Sequence, residues 1–344
     1  MQQSPDPLLF GVSHRPDWLA LHDEPVLWPQ LPIIDAHHHL WENEAERYLL
    51  DDMEADLRDG HSIVATVYVQ CAAHYRQDGP LHLAPVGETE FASAVAKRSL
   101  ERGGQTKVCA GIVGYADLRL EAAHEVLMQH LAADPLRFKG IRQATAWDSD
   151  ARLVNPKMGT AQGLYGDAAF RRGYQLLAPL GLTFDAWALH PQLDEVVDLA
   201  RTFPQTTLVV NHIGGPLGER RFKGRHEEVR PTWLAAMRLL AACPNVMVKL
   251  GGLGLPVLGF DLGRSDDRPL DSAELARRIR PWIEPCIEAF GARRCMFESN
   301  FPVDRCSFRY KLCWNAFKRV AQGCSDDERD QLFAATASRV YRLR

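Results

Sequence analysis

The chain has 344 residues, of which 46% are hydrophobic and 24% are charged, a composition typical of a globular protein with a large buried core. Its formal net charge of −4 offers no basic surface of the kind that nucleic acids or anionic membranes bind. No apolar segment reaches the roughly 18 residues needed to cross a bilayer. The N-terminal residues lack the basic and apolar regions of a secretory signal, so we predict a cytoplasmic protein.

The first 31 residues are rich in proline and turn-forming residues and are predicted to form an irregular N-terminal arm. A single domain is predicted over residues 32–344, in which eight short apolar segments recur. These segments are residues 32–37, 62–70, 108–116, 138–145, 182–189, 207–214, 246–252 and 294–300. Most are apolar at nearly every position, as is typical of parallel strands that are covered on both faces. The eight cysteines are scattered without a CxxC pair, which favours free buried thiols over disulfides.

Segments with helical spacing of apolar residues lie between and after these strands. They are residues 87–102, 121–134, 168–181, 191–203, 231–243, 272–291 and 326–343. Strands that alternate with helices predict a parallel sheet. Eight strands, with no G-x-G-x-x-G after the first, favour a closed (β/α)8 TIM barrel over an open doubly wound sheet. Three long polar segments (147–166, 215–229 and 253–271) follow strands and are expected at the C-terminal face, where barrel active sites form.

The strongest indication of chemistry is a run of three histidines at the end of the first predicted strand. Residues two apart in a strand point to the same side, so His37 and His39 are predicted to project together into the barrel mouth. His38 is predicted to point the other way. Two adjacent imidazoles suit the binding of one metal ion or one polarised oxygen. A histidine-rich turn without a function is the alternative, although packing alone explains such a pair poorly.

The segment IIDAHHHLW resembles the first-strand HxH motif of the amidohydrolase superfamily, specifically its "amidohydrolase 2" branch. Further segments match in order, namely FKGIRQ, VVNHIGGP, VKLGGL and RCMFESNFPVD. The resemblance extends over about residues 32 to 340 and implies an amidohydrolase-type barrel. The most similar members of this branch are lactonases acting on pyrone dicarboxylates, sugar lactones and muconolactones. More distant members are metal-dependent decarboxylases of aromatic acids.

The resemblance implies roles for two further histidines. His212, at the end of the sixth strand, matches the family's sixth-strand histidine, which is a metal ligand or a carbonyl-polarising group. A buried structural histidine is the alternative. His190, just after the fifth strand, matches the fifth-strand histidine of the metal-dependent members less well and can equally be a loop residue. Together with His37 and His39, these residues are the candidate ligands of one divalent metal, with zinc as the first choice.

Asn300 departs from the family pattern, because the family usually carries an aspartate there that binds metal or deprotonates the attacking water. An amide cannot act as a general base and is a weaker metal ligand than a carboxylate. We therefore expect the metal to be weakly bound or absent. Glu298, on the same strand face, and Asp304, in the following loop, are the candidate replacements for the base. The alternative for Glu298 is a buried partner for a barrel cation such as Lys249.

Three side chains are candidates for substrate binding. Arg142 lies within an apolar strand and is predicted to face the mouth, where a guanidinium suits a substrate carboxylate. Lys249 is a similar candidate, and an ion pair with Asp185 or Glu298 is the alternative for both residues. Trp187 can provide an apolar wall for a flat ring, with core packing as the alternative.

These residues and the resemblance together predict a hydrolase that acts on a small molecule. The predicted reaction opens a cyclic ester of a carboxylated or sugar-derived acid by water attack on a polarised carbonyl. An aromatic-acid decarboxylase is the second hypothesis, although Asp35 and Asn300 both depart from the decarboxylase pattern. A non-catalytic binding protein on the same scaffold is the third, and it rests on Asn300 alone. A homo-oligomer is compatible with the sequence, which does not determine the oligomeric state.

Overall fold

The computed structural model describes residues 14–42, 46–155, 160–264 and 266–343. Eight strands form one sheet in chain order, and each strand is parallel to its neighbours. The strands are β1 (Ile33–His38), β2 (Ile63–Val69), β3 (Lys107–Gly114), β4 (Phe138–Arg142), β5 (Thr183–Ala186), β6 (Leu208–Val210), β7 (Val246–Leu250) and β8 (Cys295–Phe297). Each strand begins within one residue of its predicted segment, because uninterrupted apolar runs mark strands that are buried on both faces. Six of the eight segments were predicted to end two to four residues too late, since mostly buried residues continue beyond the strand ends at the C-terminal face.

The sheet closes through the residues that follow β8. The backbone N–H of Asn300 donates to the carbonyl of His37 at 2.9 Å, and the N–H of His39 donates to the carbonyl of Phe301 at 2.8 Å. The last strand therefore meets the first, and the predicted TIM barrel is confirmed.

The described helices lie before β1, between the strands and after β8. They are α1 (Pro16–Leu19), α2 (Leu50–Leu57), α3 (Val86–Glu101), α4 (Ala123–Ala133), α5 (Ala168–Tyr174), α6 (Leu193–Thr202), α7 (His226–Ala241), α8 (Ser272–Phe290), α9 (Tyr310–Val320), α10 (Asp326–Asp330) and α11 (Thr336–Val340). Each predicted helical segment contains a helix, but α1, α2 and α9 lie outside those segments. Helix α7 begins five residues earlier than predicted and contains Pro231, which removes one backbone hydrogen bond without ending the helix.

A short hairpin pairs Trp41–Glu42 with Arg47–Tyr48. Of the predicted N-terminal arm, residues 14–31 are described and include α1, whereas residues 1–13 lie outside the described residues.

Apolar side chains pack on both sides of the barrel wall. The larger cluster fills the layer between the strands and the helices. The smaller cluster lies inside the barrel and consists mainly of Ile34, Ala36, Ala65, Val67, Val69, Val113, Val209 and Met296, together with Ala337, Val340 and Tyr341 from the C-terminal segment. The C-terminal segment therefore contributes side chains to the barrel interior.

The three long polar segments begin after β4, β6 and β7, at the C-terminal face, as predicted. Residues 156–159 and 265 of these segments lie outside the described residues. Asp148 and Arg221 form an ion pair that joins the segment after β4 to the segment after β6. All eight cysteines are free thiols, as the sequence predicts. In the described part of the chain, no helix has the length and apolarity needed to cross a membrane.

Candidate active site

The three histidines at the end of β1, of which His39 directly follows the strand, point to different sides of the barrel wall. The Nε2 atoms of His37 and His39 lie 3.2 Å apart. The Nε2 atom of His38 instead contacts the Thr66 hydroxyl at 3.0 Å, and its ring packs against Tyr68. The prediction that His37 and His39 project together and His38 points away is confirmed.

The Asp35 side chain points to the opposite side of the barrel wall from His37, although strict alternation along a strand would place both on one side. Its carboxylate accepts hydrogen bonds from the Ser299 hydroxyl at 2.6 Å and from the Tyr310 hydroxyl of α9 at 3.0 Å. The register of β1 against β2 shifts between Asp35 and His38, which explains the difference. Burial raises the pKa of Asp35 to about 6. Asp35 therefore anchors the ends of β1 and β8 from outside the barrel.

Glu298, just after β8, is fully buried and lies between two histidines. One carboxylate oxygen, Oε1, accepts hydrogen bonds from the backbone N–H of His212 at 3.1 Å and from Nδ1 of His212 at 2.8 Å. The other oxygen, Oε2, lies 2.8 Å from Nδ1 of His37, which is close enough for an ion pair but is not aligned as a hydrogen bond. The structure therefore makes Glu298 a partner of histidines, and the ion pair with Lys249 considered as an alternative is not formed.

His212 lies on a strained turn that follows β6. Its backbone φ is 51° and that of Ile213 is 49°, and both glycines that follow are also left-handed. A β-branched residue rarely adopts this conformation. The neighbouring glycine after β7, Gly252, has no space for a side chain, because an added Cβ would lie 2.1 Å from Nδ1 of His212. Trp187 packs its ring edge against the His212 ring, with 4.7 Å between ring centroids, so it contributes to the wall of the site.

Two cations lie beside His37. Arg142 faces the mouth as predicted, with Nη1 at 3.3 Å from Nε2 of His37 and Nη2 donating to the carbonyl of Gln70. The Lys249 ammonium lies 2.7 Å from the Asp185 carboxylate and 3.4 Å from Nδ1 of His37. Lys249 is fully buried, and its ion pair with Asp185 is one of the two that the sequence analysis gives as the alternative to substrate binding.

Asn300 and Asp304 form a pair of their own. The Asn300 amide donates to one Asp304 oxygen at 2.8 Å, and the backbone N–H of Gly254 donates to the other at 2.9 Å. These neutral donors do not offset burial, which raises the pKa of Asp304 to about 8. Both oxygens of Asp304 already accept hydrogen bonds within the protein.

His190 lies at the start of a 3-10 turn after β5. Its Nδ1 accepts a hydrogen bond from the backbone N–H of Leu217 at 3.1 Å, and its ring packs against Phe222. The structure therefore makes His190 a support for the segment after β6, and it does not place this residue with the other candidate metal ligands.

The potential metal ligands that the structure brings together are His37, His212 and Glu298, whose ligand atoms lie within 4.8 Å of one another. Oε2 of Glu298 is buried without a hydrogen-bond partner among the described residues, which is the condition of a carboxylate that can accept a cation. Burial, together with the nearby Lys249, holds the pKa of His37 well below its usual range. A neutral imidazole is the form that binds metals. These residues therefore fit a divalent metal ion, and His39 adjoins them through His37.

The hydrogen bonds also assign the protons of two imidazoles. His39 donates from Nδ1 to the carbonyl of Val69 at 2.7 Å, which leaves Nε2 unprotonated in the neutral ring. His212 donates from Nδ1 to Glu298 and likewise keeps an unprotonated Nε2. A carboxylate that orients an imidazole in this way also stabilises the imidazolium that forms when Nε2 takes a proton. The pair of Glu298 and His212 is therefore equipped for general base chemistry.

A (β/α)8 barrel with an HxH pair at the end of its first strand, and with a histidine and a carboxylate across the mouth, is an amidohydrolase-type barrel. Residues 34–343 match the family model described as amidohydrolase. The chain belongs to this family and is accordingly a hydrolase.

The chain is similar over most of its length to several known proteins. It is 31% identical over 339 residues to the uncharacterized protein y4mH of Sinorhizobium fredii, with 91% of this chain and 99% of that one covered. It is 29% identical over 318 residues to an L-fucono-1,5-lactonase of Burkholderia multivorans, with 90% and 96% covered. Among solved structures, an amidohydrolase of Burkholderia multivorans with bound zinc superposes with a TM-score of 0.70 at 25% identity, covering 91% and 99% of the two chains.

Several neighbours of the site are not among the residues predicted from the sequence. Asp185 enters the sequence analysis only as an ion-pair partner, although a carboxylate within an apolar strand already indicates a buried partner. Gly252 stands beside a second glycine in the family segment VKLGGL, and this pair indicates a close backbone approach. No local signal marks Tyr341, which reaches the barrel interior from the C-terminal segment.

Proposed function

We propose that this protein is a lactonase that opens the cyclic ester of a sugar-derived or carboxylated acid. The observation that carries the proposal is the 2.8 Å hydrogen bond from Nδ1 of His212 to Glu298, since it prepares Nε2 of His212 to take a proton from water. The similarity to an L-fucono-1,5-lactonase supports a lactone as the substrate. A decarboxylation, by contrast, has no use for a base that activates water.

His212 is the proposed general base, and Glu298 orients it and stabilises its protonated form. A base must lie within hydrogen-bond reach of the proton it takes, and its pKa must suit the working pH. Asp304 is the weaker candidate, because both of its oxygens already accept hydrogen bonds, from Asn300 and from Gly254.

Arg142 and His37 are proposed to stabilise the negative charge that develops on the carbonyl oxygen. Arg142 presents a guanidinium beside His37, and its Nε has no hydrogen-bond partner among the described residues. Fixed positive charge in a buried site stabilises an oxyanion strongly. In the reaction, the water oxygen bonds to the carbonyl carbon and its proton passes to His212. The ring C–O bond then breaks, and the departing alkoxide takes the proton from His212. Trp187 is proposed to bound the substrate on the His212 side.

A divalent cation, with zinc as the first choice, would be held by His37, His212 and Glu298 and would supply Lewis-acid polarisation of the carbonyl, in which case His212 would be a ligand and not the base. Because Asn300 replaces a carboxylate, Glu298 is the only anionic ligand of this set, and we expect weak binding. Assay after thorough chelation tests this expectation. Retained activity means that the protein's own residues suffice, whereas complete loss that zinc restores means that the metal is required.

The test of the proposed function is a hydrolysis assay of the purified protein. The panel comprises sugar-derived 1,4- and 1,5-lactones, a muconolactone and a pyrone dicarboxylate, and ring opening is followed by the acid it releases. We expect turnover of at least one lactone, and a loss of roughly a hundredfold or more in kcat for His212→Asn. Aromatic carboxylic acids are assayed in parallel for release of CO2. Decarboxylation without lactone hydrolysis favours the second hypothesis, and inactivity on both panels favours a binding protein.

A further inference from the structure

Asp185, on β5, is the centre of a buried hydrogen-bond network below the histidines. Its Oδ2 accepts from the Lys249 ammonium at 2.7 Å and from the Asn211 amide at 2.9 Å. The Tyr341 hydroxyl lies 3.0 Å from both carboxylate oxygens. Asp185, Lys249, Asn211 and Tyr341 are all fully buried.

The network reaches the candidate active site in two directions. Through Lys249 it touches His37, since the ammonium lies 3.4 Å from Nδ1 of that ring. Through Asn211 it holds the residue that directly precedes His212 on the strained turn after β6. A shift of the Asp185 carboxylate would therefore be transmitted to both histidines.

Tyr341 reaches this network from the far end of the chain. It follows α11 directly, and its neighbours Ala337 and Val340 pack with it inside the barrel. Small side chains on the inner face of the wall, such as Ala36 and Ala65, leave room for the aromatic ring. The Lys249 ammonium lies over this ring, 5.2 Å from its centroid, so Tyr341 contacts both members of the ion pair.

A buried ion pair is held in one geometry only when further hydrogen bonds satisfy its remaining donors and acceptors. The Tyr341 hydroxyl is a neutral donor, so it restrains the Asp185 carboxylate without neutralising it. We propose that Tyr341 is a positioning residue of the active site, which holds Asp185 so that Lys249 and Asn211 keep His37 and His212 in place. This inference rests on the proposed function only for its kinetic test.

The test compares Tyr341→Phe with Tyr174→Phe in the full-length protein. Phenylalanine keeps the ring and removes one oxygen, so the fold should be retained in both variants. Tyr174 is the matched control, because it is buried and its hydroxyl has no hydrogen-bond partner among the described residues. We expect Tyr341→Phe to lower kcat roughly three- to tenfold with KM within about twofold, and Tyr174→Phe to leave both unchanged.

A second readout is independent of activity. In ¹⁵N-histidine NMR spectra, the ring signals of His37, assigned with a His37→Asn variant, should shift in Tyr341→Phe and stay in place in Tyr174→Phe. An unchanged kcat together with unchanged His37 signals would overturn the proposal. A lower kcat accompanied only by a lower unfolding temperature, with no change in the signals, would also overturn it, since it would indicate a purely structural role. If the wild-type protein hydrolyses no lactone, the proposed function fails and the NMR result alone decides on Tyr341.

Discussion

Two buried carboxylates close together in the chain, Glu298 and Asp304, differ in what surrounds them. Glu298 contacts two histidines, whereas Asp304 is bonded to the neutral amides of Asn300 and Gly254. Their positions in the chain make both carboxylates plausible as a base, but their different hydrogen-bond partners indicate different roles. Glu298 supports the histidines of the mouth, and Asp304 fastens the segment after β7 to the segment after β8.

Replacement of Glu298 by glutamine should abolish most of the activity. Glutamine keeps the size of the side chain but removes the negative charge that stabilises protonated His212, so we expect kcat to fall roughly a hundredfold or more. Circular dichroism should show an intact fold. Asp304→Asn is the comparison and should retain most of kcat. The assignment of the base would be wrong if Asp304→Asn were the more damaging change.

Asp304 should also impose a pH dependence on stability. Its pKa of about 8 in the folded protein lies above the roughly 3.9 of an unfolded aspartate, so the native state binds the extra proton between these values. The wild-type protein should therefore lose stability, relative to Asp304→Asn, as the pH rises from about 4 to about 8. The variant serves as the reference because asparagine has no ionisable group. Urea midpoints of both proteins at pH 5 and pH 9 measure the difference. Equal changes in the two proteins would show that Asp304 ionises normally.

At the scale of elements, the site depends on two turns that meet at the mouth. The turn after β6 carries His212 in a left-handed conformation, and the segment after β7 begins with Gly251 and Gly252. An added Cβ at Gly251 would lie 2.2 Å from the carbonyl oxygen of Glu298. The two glycines therefore let the backbone after β7 approach the residues that carry the proposed chemistry.

Gly252→Ala should displace the His212 ring and impair catalysis. The new methyl group would overlap Nδ1 of His212, and the backbone at position 252 has a φ of 66°, which alanine adopts only with strain. We expect kcat to fall by roughly a hundredfold, because a small misplacement of a catalytic group costs that much. Gly323→Ala is the control, since, apart from its chain neighbours, no heavy atom of the described residues lies within 4 Å of its added Cβ. Full activity of Gly252→Ala would mean that His212 tolerates the shift and is not the base.

At the scale of the whole molecule, both terminal regions are attached to the barrel by buried polar groups. Tyr341 enters the barrel interior, and on the outside the Lys318 ammonium of α9 holds the segment before β1. It donates to the carbonyls of Leu27 and Trp28 at 2.6 and 3.0 Å and lies 2.8 Å from Nδ1 of His61. Burial lowers the pKa of Lys318 to about 8.

Lys318→Met should release the N-terminal segment without unfolding the barrel. The substitution leaves the partly buried carbonyl groups of Leu27 and Trp28 without this donor, at a cost of up to roughly 1–3 kcal/mol. Limited proteolysis should then cleave within residues 14–31 faster than in the wild-type protein, while lactone hydrolysis persists. Lys97→Met, at an exposed position of α3, is the control. An unchanged cleavage rate would show that other contacts suffice to hold this segment.

The sequence by itself determined the barrel and part of the site. Uninterrupted apolar segments mark strands that are buried on both faces, and this property is local. The orientation of His37 and His39 followed from the two-residue spacing of a strand. Arg142 followed from the same alternation in β4. The match to family segments located His212 and drew attention to Asn300.

The tertiary structure decided which groups pair. A register shift in β1 places Asp35 outside the barrel while His37 points in. The alternation of residues within one strand cannot reveal such a shift. Glu298 meets His212 across 86 residues of chain, and Tyr341 meets Asp185 across 156. Burial patterns report only that a side chain is enclosed. The partner of an enclosed charge depends on which strand ends and which terminus converge in space, and closure of the barrel brings them together.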